Sequence, residues 1–67
     1  MITIMLNGKP REIEERQAVP DLLRMLDVQP KQVAVAINGE VVPRSTWAGV
    51  CVEDGDVVEV VRAVGGG

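Results

Sequence analysis

The stretch Val57-Val58-Glu59-Val60-Val61-Arg62-Ala63-Val64-Gly65-Gly66-Gly67 ends the chain and carries its strongest fold signal. Residues 57–64 are rich in valine, which is typical of a β-strand. The glycines that follow have no side chain to pack and lose the most backbone entropy on ordering. The sequence therefore predicts a domain formed by residues 1–64, with a long final strand, and a flexible C-terminal tail formed by residues 65–67.

The N-terminal segment predicts a β-hairpin. Residues 2–6 alternate between branched apolar side chains and other types, which is the periodicity of a strand. Asn7-Gly8 tolerates the positive φ values that a two-residue hairpin turn requires. Residues 9–13 are then expected to return as the second strand. Pro10 favours an edge position for this strand, because a missing N–H costs little there.

Residues 19–27 predict the main helix. The apolar positions that repeat at the helical spacing i, i+3, i+4 and i+7 are Val19, Leu22, Leu23 and Leu26. Pro20 suits the first turn, where its missing N–H would have no partner in any case. The residue before a proline avoids helical geometry, so the helix is expected to end before Pro30.

The region between this helix and the final strand predicts only short elements. They are a strand at 33–37, a turn at Asn38-Gly39, a strand at 41–42, a helical turn at 44–47, a brief strand at 50–52 and a turn at 53–56. The element order is therefore β-β-α-β-β-β. A hairpin, one helix and a late strand joined to the first favour an α+β fold of the β-grasp (ubiquitin-like) class. In this fold one main helix packs across one face of a mixed sheet of about four to five strands.

The composition argues against several classes of function. The chain has 10 acidic and 7 basic residues, and a net charge of −3 repels the phosphates of a nucleic acid. Histidine is absent and Cys51 is the only cysteine, so the pairs of groups that build nucleophilic or metal sites are missing. We therefore expect no catalysis and no metal. The apolar residues 1–6 are too few for a signal peptide or membrane span, which favours a cytoplasmic protein, and a monomer is the simplest expectation.

Strand alternation predicts which side chains face the helix and which face away from it. The expected inward set is Ile4, Leu6, Val35, Ile37, Val58 and Val60. Alternation then places Met5, Ala36, Glu59 and Val61 on the opposite face, where the apolar members would form a strip beside the tail. Such a strip predicts a partner-docking surface. The alternative is an ordinary surface, since scattered exposed apolar residues are common.

Four further features of the sequence have specific expectations. Trp47, the only tryptophan, is expected to cover the small core. Cys51 lies between two valines and is expected to be a small buried hydrophobe. The acidic residues in 53–56 are expected to form a solvated turn, because the spacing lacks the distal glutamate of a calcium loop. For Arg44, contact with a partner and simple exposure to solvent both remain open.

Several motifs together resemble one known family. The segment Ala36-Ile37-Asn38-Gly39-Glu40-Val41-Val42-Pro43-Arg44 is followed by Trp47, by Asp54-Gly55-Asp56-Val57-Val58-Glu59-Val60-Val61 and by the terminal glycines. This pattern is similar to that of the ThiS family of ubiquitin-like sulfur carriers, over nearly the whole chain. The family usually ends in two glycines whereas this chain has three, so either Gly66 or Gly67 would be the reactive end.

The resemblance implies a specific chemistry for the C-terminus. The carboxylate of Gly67, with Gly66 and Gly65 as its tail, would be adenylated by a ThiF-type adenylyltransferase that uses ATP and Mg²⁺. A sulfur donor enzyme would then supply the sulfur of a thiocarboxylate, and a ThiG-type thiazole synthase would take this sulfur into the thiazole of thiamine. The chain itself would need no cofactor. The alternatives are a MoaD-like carrier for molybdopterin synthesis and a ubiquitin-like binding module without tail chemistry.

Overall fold

The computed structural model describes residues 1–62 of the chain. Its strands are β1 (Ile2–Leu6), β2 (Lys9–Ile13), β3 (Gln17–Ala18), β4 (Val33–Ile37), β5 (Glu40–Val42), β6 (Cys51–Val52) and β7 (Val57–Arg62). The α-helix is α1 (Val19–Met25), and two 3₁₀ segments lie at Pro30–Gln32 and Arg44–Gly49. The predicted final strand is confirmed as far as Arg62. Ala63, Val64 and the predicted tail Gly65–Gly67 lie outside the described residues.

The main sheet has five strands in the order β2-β1-β7-β4-β5. The pair β1–β7 is parallel, whereas β1–β2, β4–β5 and β4–β7 are antiparallel. The predicted mixed sheet, the joining of the last strand to the first and the edge position of β2 are all confirmed. Because β7 is the central strand, the two hairpins are held together by the C-terminal part of the chain.

Helix α1 begins and ends for identifiable reasons. Pro20 lies in its first turn, and no side chain caps the first N–H groups. At the other end Asp27 adopts a left-handed conformation with φ of 59°. The Asp27 N–H then bonds to the carbonyl of Arg24 at 3.1 Å and the Val28 N–H to that of Leu23 at 3.2 Å. This pair of bonds is a Schellman motif, and it ends the helix before the predicted limit at Pro30.

The core lies between α1 and one face of the main sheet. Its buried members are Ile4, Ile13, Val19, Leu22, Leu23, Val33, Val35, Trp47, Val52 and Val58. The expected inward phase of β1, β4 and β7 is confirmed, with Leu6, Ile37 and Val60 half-buried around this centre. Trp47 is buried as predicted, and its indole Nε1–H donates a hydrogen bond to the carbonyl of Val42 at 2.9 Å.

A second, two-stranded sheet formed by β3 and β6 was not expected from the sequence. Gln17 pairs with Val52 and Ala18 with Cys51, so the brief strand predicted at 50–52 pairs with the segment before the helix rather than with the main sheet. A strand of two residues has no periodicity that a sequence pattern can detect. Its pairing depends on the Arg44–Gly49 segment, which brings the two distant stretches together.

The expectation that Cys51 is buried is wrong, because the structure leaves this side chain exposed. Val52, its neighbour in β6, is fully buried against the core. Successive side chains of a strand point to opposite sides, so only one of the two can enter the core. The larger apolar side chain, Val52, takes that position.

Candidate functional site

The two Asn-Gly turns hold the central strand β7 at different points along its length. Asn7 and Asn38 both have positive φ, at 50° and 53°, and each is followed by a glycine with φ above 80°. Asparagine tolerates this conformation better than most residues do. Each asparagine also uses its side-chain amide to bond β7, so the turns contribute to the sheet as well as reversing the chain.

Asn38 bonds the beginning of β7. Its N–H donates to the Val57 carbonyl at 2.7 Å, and its side-chain Oδ1 accepts from the Val57 N–H at 2.9 Å. Its Nδ2 donates to Oδ1 of Asp56 at 3.1 Å. The contacts place β7 in register from its first residue.

Asn7 bonds β7 nearer the C-terminus. Its N–H donates to the Val58 carbonyl at 2.9 Å. Its Oδ1 accepts from the Val60 N–H at 2.9 Å and its Nδ2 donates to the Val60 carbonyl at 3.1 Å. The strand that leads into the predicted tail is therefore bonded beyond the point where β1 ends at Leu6.

The four residues predicted to dock a partner lie on the sheet face opposite α1. Ala36 on β4 is directly opposite Glu59 on β7, and Val61 is opposite Ala34. Met5 lies on the other side of β7, opposite Val57. Met5, Glu59 and Val61 are exposed and Ala36 is half-buried. Their docking role is untested and remains a prediction.

Two further valines belong to this face and were missed by sequence reasoning. Val57 pairs with Met5, and Val41 on β5 pairs with Ala36. The exposed fractions are 38% for Met5, 46% for Val57, 56% for Val61 and 74% for Val41. The alternation of β7 and the two-residue turn after β4 could have identified both valines, because such a turn makes Ala36 face Val41. We call Met5, Ala36, Val41, Val57, Glu59 and Val61 the outer patch.

Glu59 is the one charged residue of the outer patch, and it lies at the centre of the patch. Glu59 lies between Val57 and Val61 on the same side of β7 and is exposed. The only ion pair among residues 1–62, between Arg24 and Asp21 at 3.4 Å, lies on α1. The patch therefore combines apolar area with one free carboxylate, which would suit a partner surface that is apolar around a single cation.

Arg44 has a role within the domain that the sequence did not reveal. Its Nη2 donates a hydrogen bond to the carbonyl of Val33 at 3.1 Å, and its guanidinium carbon lies 5.3 Å from the centre of the Trp47 ring. Pro43 ends the edge strand β5, so the Arg44 side chain reaches a carbonyl that β5 no longer covers. Since Val33 is paired with Arg62, this contact supports the sheet where β7 ends.

The acidic segment at residues 53–56 forms the exposed turn that was predicted, and its carboxylates also bond the backbone. Oδ1 of Asp54 accepts a hydrogen bond from the Thr3 N–H at 2.8 Å, and Oδ2 of Asp56 accepts from the Glu53 N–H at 2.8 Å. Gly55 has φ of 88°, which favours glycine at this position. The carboxylates therefore shape the connection into β7. Within residues 1–62 no group of three acidic, histidine or cysteine side chains is arranged to hold a metal ion.

The predicted reactive residues Gly65, Gly66 and Gly67 lie outside the described part of the chain. Three members of the outer patch, Val57, Glu59 and Val61, lie on β7, and the sequence places the glycines after that strand. Among residues 1–62, the structure has no helix with the length and apolar character that crossing a membrane requires.

Comparisons with known proteins agree with this architecture. The family model described as the ThiS family matches residues 4–67. The sulfur carrier protein ThiS of Escherichia coli is 36% identical over 64 residues, which cover 96% of this chain and 97% of that protein. The crystal structure of the thiamine biosynthesis protein ThiS from Geobacter metallireducens matches with a TM-score of 0.88 and 39% identity. It covers 98% of this chain and 100% of that one.

A second kind of relative is much longer than this chain. A thiazole synthase of Paramagnetospirillum magneticum is 42% identical over 64 residues, which cover 96% of this chain. The chain spans only about a fifth of the length of that relative, since the match covers 20% of it. The family match over residues 4–67, together with the five-stranded mixed sheet and its single α-helix, shows that the chain belongs to the ThiS family.

Proposed function

We propose that this protein is a sulfur carrier for the formation of the thiazole of thiamine, and that it acts as a substrate rather than as an enzyme. A ThiF-type adenylyltransferase activates the C-terminal glycine carboxylate, and a sulfur donor enzyme supplies the sulfur. The observation that carries the proposal is the match to Escherichia coli ThiS, which spans 96% of this chain and 97% of that sulfur carrier protein. We place the protein in the cytoplasm as a monomer without a cofactor of its own.

The chemistry explains why the chain should end in glycine. A carboxylate is a poor electrophile until it is given a leaving group. Attack of a carboxylate oxygen on the α-phosphorus of ATP releases pyrophosphate and forms an acyl-adenylate, with Mg²⁺ held by the activating partner. A sulfur nucleophile then displaces AMP, and the terminal acyl carbon carries sulfur in place of oxygen. A glycine has no β-carbon beside the reacting carbon, so it can enter a narrow site.

The distance from the folded body to the terminus suits this chemistry. Residues 63–67 follow the last described residue of β7, Arg62. A fully extended chain advances at most about 3.6 Å per residue, so these five residues span at most about 18 Å. The body can therefore dock outside a partner's active site while the terminus reaches into it.

We propose the outer patch as the surface that docks on these partners. Its apolar residues offer area for desolvation, and Glu59 offers one charge that would meet a cation of the partner. The favourable contact offsets the entropy lost when the residues of the tail become fixed, which is about 1–2 kcal/mol per residue.

The thiazole synthase relatives support a ThiG-type enzyme as the partner that consumes the sulfur. In those proteins a segment similar to this chain makes up about a fifth of a longer polypeptide, as judged from coverage of 20%. When two functions are joined in one polypeptide, the joined segments are held at high effective concentration. We propose that this chain associates with a ThiG-type enzyme in the same way, but as a separate polypeptide.

Intact-mass spectrometry tests the proposal directly. The full chain is incubated with a ThiF-type enzyme, ATP, Mg²⁺ and a sulfur source, and the expected result is the mass increase that accompanies replacement of one oxygen by sulfur. A variant lacking Gly66 and Gly67 should fold but remain unmodified. An unmodified wild-type chain would contradict the carrier role.

A second step identifies the pathway. The thiocarboxylate form is presented to a ThiG-type thiazole synthase, and sulfur transfer into a thiazole product is expected. The contrary result is no sulfur transfer with the thiazole synthase, but transfer to a molybdopterin precursor when the subunit that partners MoaD is present. This result would contradict the thiamine assignment and leave the carrier chemistry intact.

A further inference from the structure

The two strands that flank β7, β4 and β1, pair with it over different lengths. On one side the antiparallel strand β4 pairs with β7 as far as Val33 opposite Arg62. On the other side the parallel strand β1 pairs only as far as Leu6 opposite Val58. The stretch of β7 beyond Val58 therefore needs another hydrogen-bonding partner on its β1 side.

The side chain of Asn7 supplies that partner. In a parallel ladder the Asn7 N–H donates to the Val58 carbonyl, as observed at 2.9 Å, and the Asn7 carbonyl would next accept from the Val60 N–H. The chain instead turns away at Asn7, whose φ is 50°. Its Oδ1 accepts from the Val60 N–H at 2.9 Å, and its Nδ2 donates to the Val60 carbonyl at 3.1 Å.

A primary amide has the same donor and acceptor groups as a peptide bond. The Asn7 side chain therefore acts as one additional peptide unit of β1, placed beyond the turn. Asn38 does this only in part at the other end of the strand: its Oδ1 accepts from the Val57 N–H at 2.9 Å, but its Nδ2 donates to the Asp56 side chain. The two amides thus bond opposite sides of β7, and only that of Asn7 bonds the second half of the strand, at Val60.

We propose that Asn7 is a positioning residue for the reactive C-terminus, an inference that rests on the proposed function. By bonding both backbone groups of Val60, it holds β7 on its β1 side beyond the end of β1, where otherwise only β4 would hold the residues that lead to the reacting glycine. It acts through Val60 and Arg62, which lead into residues 63–67.

This role has a kinetic signature that a purely structural role lacks. The outer patch docks the body, so loss of the Asn7 bonds leaves the surface that governs association in place. Without these bonds the last residues of β7 are held only by β4 and open more often, and they must be ordered again before the terminus reaches the ATP. Ordering one additional backbone residue corresponds to roughly a tenfold loss of rate. The effect should fall on kcat for adenylation, with KM for the carrier almost unchanged.

The experiment compares Asn7→Gly with Asn38→Gly in the full chain. Glycine accepts positive φ, so both turns are retained while the side-chain bonds are removed. Each variant thus loses two side-chain hydrogen bonds: Asn7→Gly loses both bonds to Val60, and Asn38→Gly loses those to Val57 and Asp56 at the beginning of the strand. Thermal unfolding, backbone amide hydrogen exchange and steady-state adenylation by a ThiF-type enzyme are measured for both.

For Asn7→Gly we expect faster exchange at Val60 and a kcat lowered about tenfold, with KM changed less than about twofold. For Asn38→Gly we expect faster exchange at Val57 and a kcat close to that of the wild type. Should Asn7→Gly not fold, Asn7→Asp replaces it. Aspartate also tolerates positive φ and keeps an acceptor for the Val60 N–H, but it has no donor for the Val60 carbonyl, so the same selective loss of kcat is expected.

Two outcomes overturn the inference, and they differ from failure of the proposed function. Wild-type kcat in the folded Asn7 variant, or an equal loss of kcat in Asn38→Gly, shows that Asn7 does not position the terminus. A wild-type chain that is not adenylated at all refutes the carrier role itself and the positioning role with it.

Discussion

The two faces of the main sheet use the same residue type for opposite purposes. On β7, Val58 is 0% exposed against the core while its neighbour Val57 is 46% exposed on the outer patch. Both side chains are valine on one strand, so the difference arises only from alternation and from the helix that covers one face. The inner valines stabilise the fold, whereas the outer ones leave exposed the apolar area that we propose as the docking surface.

The largest effect should come from placing a charge on the inner face. Val58→Asp puts a carboxylate into a fully buried site, and an unpaired buried charge costs several kcal/mol. A domain of this size has a stability of only about 3–5 kcal/mol. We expect Val58→Asp to be unfolded at room temperature by circular dichroism. A folded Val58→Asp would mean that the strand phase is reversed.

The same substitution on the outer face should affect binding rather than folding. Val61 is more than half exposed, so Val61→Asp should lower the free energy of unfolding by about 1 kcal/mol or less. A charge in the middle of an apolar contact should weaken binding to a ThiF-type enzyme by about tenfold, measured by calorimetry.

Met25→Asp is the matched control for this comparison. Met25 is an exposed apolar residue on α1, away from the outer patch. Unchanged binding in Met25→Asp together with weaker binding in Val61→Asp would assign docking to the sheet face. Equal effects in both variants would contradict the docking role of the outer patch.

The smallest effect concerns the single charge on the outer patch. Glu59→Lys should weaken binding about threefold to tenfold at low salt, with the difference shrinking as salt screens the charges. Glu14→Lys makes the same change in net charge at an exposed position in the loop after β2. A loss of binding in Glu14→Lys as large as that in Glu59→Lys would indicate a general effect of net charge on association.

Much of the fold could be predicted because its signals are local. The two Asn-Gly turns, the helical spacing of Val19 and Leu22, and the alternation of β7 each depend on neighbours along the chain. From these signals we could predict the hairpins, the helix and which side chains of the strands face the helix. The outer positions of Met5, Ala36, Glu59 and Val61 follow from that orientation, although their function does not.

The sequence by itself determined which residues turn, which alternate and which family pattern the chain carries. Only the tertiary structure decided that Gln17 pairs with Val52, that Cys51 is exposed, and that the amide of Asn7 extends β1 along Val60. Each of these depends on contact between segments far apart in the chain. Local propensity carries no information about such contacts, because their free energy exists only once the sheet has brought those segments together.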